Sequence, residues 1–348
     1  MLEPQERKRY SRQILLPELG IRGQEMLKLA KVLVIGAGGL GCPVLQYLAA
    51  AGVGTLGIVD DDVVDMTNLH RQILYSAADV GKNKALTAAE KISVLNPFVT
   101  TATYPVRLSD SNAEEIINGY DFVIDGSDNF PTRYLINDFC VKLGKSFVFG
   151  SILRFEGQVS VFNYKNGPTY RCLFPDISDE DNCAEAGVIG ILPGLIGSYM
   201  ANEAIKLICD IGEPLSGKLL VINSLTNSSS IFQFSRSASF DAVSKQSIKN
   251  EEKEQSLLRE ISWEEFEMLQ SQHPDQVELI DVREYYEFEA DNFGGVNIPL
   301  SDIPENISSL PASKTIIFYC QSGIRSKKAA KLLIDSGFEG QNFWAKSW

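Results

Sequence analysis

Short apolar runs separated by polar, turn-forming stretches recur along the first two thirds of the chain, and their lengths alternate between strand and helix. Residues 32–35 are such a run, too brief for a helix and rich in β-branched side chains, which predicts a buried strand. Gly36, Gly38, Gly39 and Gly41 follow, then an apolar stretch of helical length reaches Ala51 and turns at Gly52 and Gly54. Residues 56–59 form a second strand-length run ending on Asp60, Asp61 and Asp62. Strand, glycine turn, helix and strand open a nucleotide-binding βαβ unit. Its glycines let backbone N–H groups approach a phosphate at the positive end of the helix, and Asp60 can hold a ribose hydroxyl.

The alternation continues downstream. Before it, residues 5–30 read as a basic helical segment. After Asp62 a loop carrying Asn68, His70 and Arg71 leads to a helix over 81–94, stopped by Asn96-Pro97. Residues 99–106 read as a strand, and Ser111 with Glu114 has capping-box spacing before a short helix that Gly119 ends. Residues 122–125 are a buried-type strand, 131–143 a helix, 147–150 and 157–164 further strands. The acidic, turn-rich stretch 174–187, with Cys183 inside it, predicts an exposed loop, and 193–209 an apolar helix suited to a core or a dimer interface. Two last strands fall at 218–222 and 230–234. This order argues for a mostly parallel α/β sheet.

Near Ser235 the pattern dissolves into Ser, Lys, Glu and Asn. A domain over 1–235, a linker over 236–258 and a second domain over 259–348 are therefore expected. The second unit shows a capping box at Ser262 and Glu265, strands at 278–282 and 315–319, and a basic amphipathic helix over 324–335. That is a small α/β domain.

Composition narrows the class. With 348 residues, 44% hydrophobic and 22% charged, and no apolar run of membrane-spanning length, two soluble domains are expected. The polar N-terminus MLEPQERKRYSRQ has no apolar h-region, so a cytoplasmic protein with reduced thiols and no membrane association is expected. A net charge of −13 argues against nucleic acid as a partner. None of the six cysteines forms a C-x-x-C pair, so a special cysteine here is catalytic.

The glycine turn alone would suggest an NAD-dependent oxidoreductase. Its companions favour another chemistry: Arg12, Asn68, Arg71, Lys84 and Asp128 supply cations for a triphosphate and a carboxylate for Mg²⁺, as adenylation requires. The ordered motifs RYSRQILLPELG, GAGGLG, DDDVVDMTNLHRQ, VGKNK and DGSDN, spread over residues 7–234, resemble the MoeB/ThiF adenylating enzymes of ubiquitin-like sulfur carriers, relatives of the ubiquitin E1. The resemblance implies a Rossmann-like E1-type adenylation domain. It implies ATP contacts from Gly39, Asp60, Thr67, Asn68, His70, Arg71, Lys84, Asp128 and Asn129, with His70 positional and Asp128 acting through Mg²⁺. It further implies that Arg12 reaches the neighbouring subunit's site, hence a homodimer. Family members often carry zinc on two C-x-x-C pairs; Thr169 stands where one cysteine would precede Cys172, and SRSASF has none, so no structural zinc is expected. Cys183 falls where relatives place a cysteine able to take the acyl group, although Asp179, Glu180, Asp181 and Glu185 would raise its thiol pKa.

In the second unit, Cys320-Gln-Ser-Gly-Ile-Arg325 follows a strand and opens a helix, so backbone N–H groups, the helix dipole and Arg325 favour a thiolate or persulfide. LIDVREYYEFEADNFGGVNIPLSDI and IIFYCQSGIRSKKAAKLL resemble a rhodanese-like sulfurtransferase domain. Similar phosphatases use the larger C-x5-R loop; C-x4-R suits a sulfane sulfur. The chain departs from that pattern at Asp291-Asn292 and in its NFWAKSW close.

The combined resemblance implies ATP-dependent adenylation of a MoaD- or ThiS-type carrier ending in Gly-Gly, the molybdopterin-synthase carrier foremost, followed by sulfur transfer from a Cys320 persulfide. A persulfide donor such as a cysteine desulfurase would load that cysteine. The competing expectations are an NAD-dependent oxidoreductase and a non-catalytic sulfur-relay scaffold.

Overall fold

A computed structural model describes residues 1–175, 187–237, 259–321, 323–338, 340 and 342–346. Cys183 and residues 238–258 of the expected linker lie outside the described residues. The chain divides into two compact units, Met1–Asp241 and Ala242–Trp348.

In the first unit, strands β1 (Lys31–Ile35), β2 (Thr55–Val59), β3 (Thr100–Tyr104), β4 (Phe122–Asp125), β5 (Ser146–Leu153), β6 (Glu156–Phe162), β7 (Lys218–Asn223) and β8 (Ser228–Gln233) form one sheet in the order 3-2-1-4-5-6-7-8. The first five strands pair in parallel and the last three antiparallel. This is the mostly parallel α/β architecture expected. Strand β1 shows why its sequence is a continuous apolar run. Val32 and Val34 enter one core cluster and Leu33 and Ile35 the other, so both faces of the strand are covered. The Gly41–Ala51, Lys84–Leu95 and Ile191–Cys209 helices build the first cluster; Ala113–Asn118 and Phe130–Lys142 build the second.

Several boundaries differ from the sequence expectation for local reasons. The segment over 5–30 breaks into Pro4–Arg9, Ser11–Ile14 and Gly20–Leu29, since Pro17 removes an N–H donor and Gly20 sits at φ 58°. The expected capping box at Ser111 and Glu114 does not form: Asn112 is the N-cap residue and its Oδ1 instead accepts from the Ser109 N–H at 2.8 Å. The helix expected from residue 81 starts at Lys84, because Asn83 caps it through the Leu86 N–H at 3.1 Å.

The second unit holds a four-stranded sheet of β9 (Val277–Asp281), β10 (Val296–Asn297), β11 (Thr315–Cys320) and β12 (Asn342–Lys346), all parallel, in the order 10-9-11-12. Ile316, Phe318 and Cys320 face one apolar cluster, Ile317 and Tyr319 the other. The capping box at Ser262 is present, with Ser262 and Glu265 each holding the other's backbone N–H.

Candidate active site

In the first sheet the chain runs outward from β1 through β2 to β3, then returns to β1's other side for β4. That reversal leaves a crevice at the carboxyl ends of β1 and β4, the place where open α/β sheets bind ligands. The two loops that meet there need glycine for space. A Cβ on Gly36 would lie 2.8 Å from the Gly126 carbonyl oxygen, and one on Gly41 1.9 Å from that of Gly36. The crevice opens into a cavity of about 850 Å³, whose lining includes Gly38, Gly39, Asp60, His70, Arg71, Lys84, Asp128 and Asn129.

Asp60 directly follows β2 and begins the loop after it. Its Oδ2 accepts from the Ala37 N–H at 2.7 Å and its Oδ1 from the Asp62 N–H at 2.9 Å. Burial pushes its carboxyl above the ordinary value, against the Ala37 N–H and the charge of Lys84. Each oxygen keeps a lone pair for a ligand hydroxyl. Lys84, 5% exposed at the start of its helix, gives its ammonium to Asp62 Oδ2 at 2.8 Å. Arg71 is aimed by its own loop: Asn68 Oδ1 accepts from one Nη at 2.9 Å, and His70 Nε2 lies 3.5 Å from the other. His70 Nδ1 faces the Thr67 carbonyl at 2.9 Å, so a proton on Nδ1 leaves Nε2 as the acceptor for the arginine. Thr67 and Asn68 are not in the cavity lining; Thr67 gives its N–H and hydroxyl to Asp65.

The two aspartates of DGSDN take opposite positions. Asp125, at the end of β4, is fully buried, and its Oδ1 accepts the Ser127 N–H at 3.0 Å and hydroxyl at 2.6 Å. Burial raises its carboxyl pKa despite those donors and the Arg133 charge. Asp128 is exposed and lines the cavity, with Asn129 Nδ2 donating to its Oδ1 at 3.3 Å. The cap of the Phe130–Lys142 helix is Asn129, whose Oδ1 accepts from Thr132 N–H at 3.0 Å. Asp128 is thereby left with its acceptor capacity toward the cavity. Arg12 is exposed on the Ser11–Ile14 helix and is not in the lining.

Several lining residues escaped the sequence reading. Asp62 was visible only as one of three consecutive aspartates. Arg107 and Arg133 line the cavity without a motif to mark them. Arg133 is buried, its guanidinium 5.3 Å from the Phe130 ring centroid and 5.4 Å from that of Phe149.

In the second unit, Cys320 ends β11 and is fully buried. The Ser326 N–H, in the first turn of the Ile324–Asp335 helix, donates to its Sγ at 3.3 Å. Ser326 Oγ lies 3.4 Å from the sulfur and gives its proton to the Ala345 carbonyl at 2.7 Å, so toward the thiol it is an acceptor. The loop bends at Gly323, φ 85°. Arg325 places its fork on the Glu287 carboxylate at 2.5 and 2.9 Å, which offsets the positive charge it brings near the loop. Glu287 is pulled below its ordinary pKa by that arginine. The side chains of Arg283 and Asp281 form a second fork pair, this one buried, at 2.6–3.0 Å at the end of β9.

Among the described residues no helix is long and apolar enough to cross a membrane. Comparison with known proteins follows the two units. Residues 10–242 match the ThiF family and 262–344 the rhodanese-like domain. The chain is 42% identical to the probable adenylyltransferase/sulfurtransferase MoeZ of Mycobacterium tuberculosis, across 97% of this chain and 90% of that protein. It is 55% identical to the sulfur carrier protein adenylyltransferase of Thermus thermophilus, across 62% and 83% respectively. A crystal structure of E. coli MccB superposes with a TM-score of 0.60 at 23% identity, covering 66% of this chain and 72% of that one, a likeness of fold. The chain therefore belongs to the ThiF family and carries, after its ThiF unit, a rhodanese-like domain.

Proposed function

We propose that this protein adenylates the C-terminal glycine of a ubiquitin-like sulfur carrier with ATP and then converts it to a thiocarboxylate with sulfur carried on Cys320. The observation that carries the reading is the convergence of Gly39, Asp60, Arg71, Lys84 and Asp128 on one cavity at the switch point of the sheet. Asp60 fits a ribose hydroxyl, the glycine turn and the two cations fit a triphosphate, and Asp128 projects the carboxylate left free by the Asn129 cap.

In the first step a carrier carboxylate oxygen attacks the α-phosphorus, the bond to the β-phosphate oxygen breaks, and pyrophosphate leaves. No general base is required, because a carboxylate is already ionised at neutral pH. Arg71 and Lys84 stabilise charge on the α-phosphate and the leaving group. Mg²⁺ would supply further charge neutralisation when bound. Asp128 is the residue that would hold it, and Mg²⁺ typically takes one or two protein carboxylates with the phosphates rather than a full protein cage. The absence of any group of three His, Cys, Asp or Glu ligands among the described residues is compatible with that mode.

In the second step the terminal sulfur of a Cys320 persulfide attacks the acyl-adenylate carbonyl and AMP departs. A thiol reductant then cleaves the acyl disulfide, leaving the carrier thiocarboxylate and the Cys320 thiol. Cys183 offers a second acyl acceptor within the same reading. A cysteine desulfurase is the class of donor that would load Cys320. A homodimer is favoured by the exposed position of Arg12, which suits action in a partner's cavity. It is also favoured by the apolar stripe Ile191, Leu195 and Tyr199, 61%, 41% and 43% exposed along one helix. ATP–pyrophosphate exchange that depends on a carrier ending in Gly-Gly tests the first step. A chain that exchanges equally well without any carrier would refute this reading.

A further inference from the structure

Tyr75 lies outside every motif considered so far, yet it touches two of the elements that face the cavity. It is buried, 7% exposed, with its ring packed in the same core cluster as Cys42, Leu74 and Ala85. Its phenol donates to the Ala37 carbonyl at 2.8 Å, and the Lys84 carbonyl lies 3.2 Å from the same oxygen as a second acceptor for that proton. Ala37 belongs to the glycine turn, and its N–H is held by Asp60. Lys84 is the first residue of its helix, with its own N–H on the Asp62 carbonyl at 2.9 Å.

One hydroxyl thus bridges the turn that would cradle phosphates and the backbone of the lysine that would neutralise them. Burial drives the phenol pKa far above its ordinary value, so the O–H persists as a donor at working pH. Preorganised charge is effective only when donors are fixed before the ligand arrives, and displacement of one by a fraction of an ångström weakens it.

We propose that Tyr75 is a positioning residue for ATP: its hydroxyl locks the glycine turn and the Lys84 helix start into one rigid triphosphate cradle. This rests on the reading of the cavity as an ATP site. The ring fills the core and the hydroxyl sets the cradle, so Tyr75→Phe separates the two roles.

The test is calorimetric titration of the full chain with Mg·ATP, beside steady-state exchange kinetics. Tyr75→Phe is expected to weaken ATP binding about threefold to tenfold, the worth of one hydrogen bond, and to raise the ATP KM by the same factor while the carrier KM stays at its wild-type value. Leu74→Ala is the packing control: it should lower the thermal midpoint and leave ATP affinity alone. In the double variant with Lys84→Ala, the Tyr75→Phe effect should shrink, because the element it positions has lost its charge. ATP affinity unchanged in Tyr75→Phe, or weakened equally by Leu74→Ala, would overturn the proposal. A wild-type chain that binds no ATP would instead refute the reading of the cavity itself.

Discussion

The ammonium of Lys84 is bound by the carboxylate of Asp62 at 2.8 Å, with the lysine side chain 7% exposed and the aspartate side chain 71% exposed. The pair is therefore asymmetric: the cation faces the cavity interior while its counter-ion is largely solvated and holds it weakly. Lys84 can be drawn to an incoming phosphate without a large penalty. Lys84→Ala should lower kcat/KM for ATP–pyrophosphate exchange at least about 100-fold. Asp62→Asn should change it by less than about fivefold. Equal losses in the two variants would show that the pair, and not the lysine, matters.

Asp125 and Asp128, three residues apart, should separate stability from activity. Asp125 is fully buried and organises the Ser127 N–H and hydroxyl, so Asp125→Ala leaves buried donors unsatisfied, at a cost of about 1–3 kcal/mol. A thermal midpoint lower by several degrees should follow. Asp128→Ala, at an exposed position beside a cap made by Asn129, should leave the midpoint near wild type and abolish exchange by about two orders of magnitude or more. Thermal melts and exchange assays on both variants check this. A stable, inactive Asp125→Ala protein with an active Asp128→Ala counterpart would reverse the assignment.

That distinction also marks where the sequence stops being legible. The DGSDN motif places two carboxylates at a strand end, but only burial decides which one serves the fold. The strands were readable because parallel strands covered on both faces are continuous apolar runs, as in Val32–Ile35. Strand β12 was not, since its pattern in NFWAK carries no periodicity that a short edge strand would need. The cavity's glycines, Asp60, Arg71 and Lys84 were found through motif order, whereas Arg133 and Tyr75 act through tertiary packing that no local spacing announces. Asn129 and Asn68 were expected at the nucleotide; Asn129, in the cavity lining, caps a helix and Asn68 holds Arg71, partnerships that local spacing does not show. Arg325 was expected to lend its charge to Cys320, and Glu287, 38 residues earlier, supplies a counter-charge invisible in the loop itself.

The glycine turn should tolerate no Cβ at Gly41. An added methyl there would meet the Gly36 carbonyl oxygen at 1.9 Å, a backbone atom with no flexible side chain to give way. Gly41→Ala should therefore open the turn, lower the thermal midpoint by several degrees and weaken ATP binding at least about tenfold. Gly81→Ala is the comparison. Its Cβ meets nothing within 4 Å, and only its φ of 86° is strained, so ATP affinity should hold while stability falls modestly. Calorimetric ATP titrations of the two proteins decide between them.

Cys320→Ser should divide the two reactions. The sulfur sits in the second unit, and the residues lining the cavity at the sheet's switch point are all in the first. Sulfur transfer from thiosulfate should fall to background, while carrier-dependent pyrophosphate exchange stays within about twofold of wild type. Loss of exchange in this variant would mean that adenylation depends on the sulfur-carrying cysteine.

The Glu287–Arg325 pair gives the second unit an acid-sensitive contribution whose sign can be worked out. Arg325 lowers the Glu287 pKa in the folded protein from its ordinary 4.5, so the folded state binds this proton less readily than the unfolded chain does. A depressed carboxyl contributes stability that is fully present above the unfolded value and disappears as pH falls through the folded one. Glu287→Gln removes that contribution at every pH. The difference in thermal midpoint between wild type and Glu287→Gln should thus be constant above about pH 5.5 and shrink steadily below about pH 4.5. The side chains are 20% and 22% exposed, so salt should reduce the difference without abolishing it. Thermal melts of both proteins from pH 7 to pH 3, at low and at high salt, measure it; a difference that grows on acidification would show that Glu287 is not the ionised partner of Arg325.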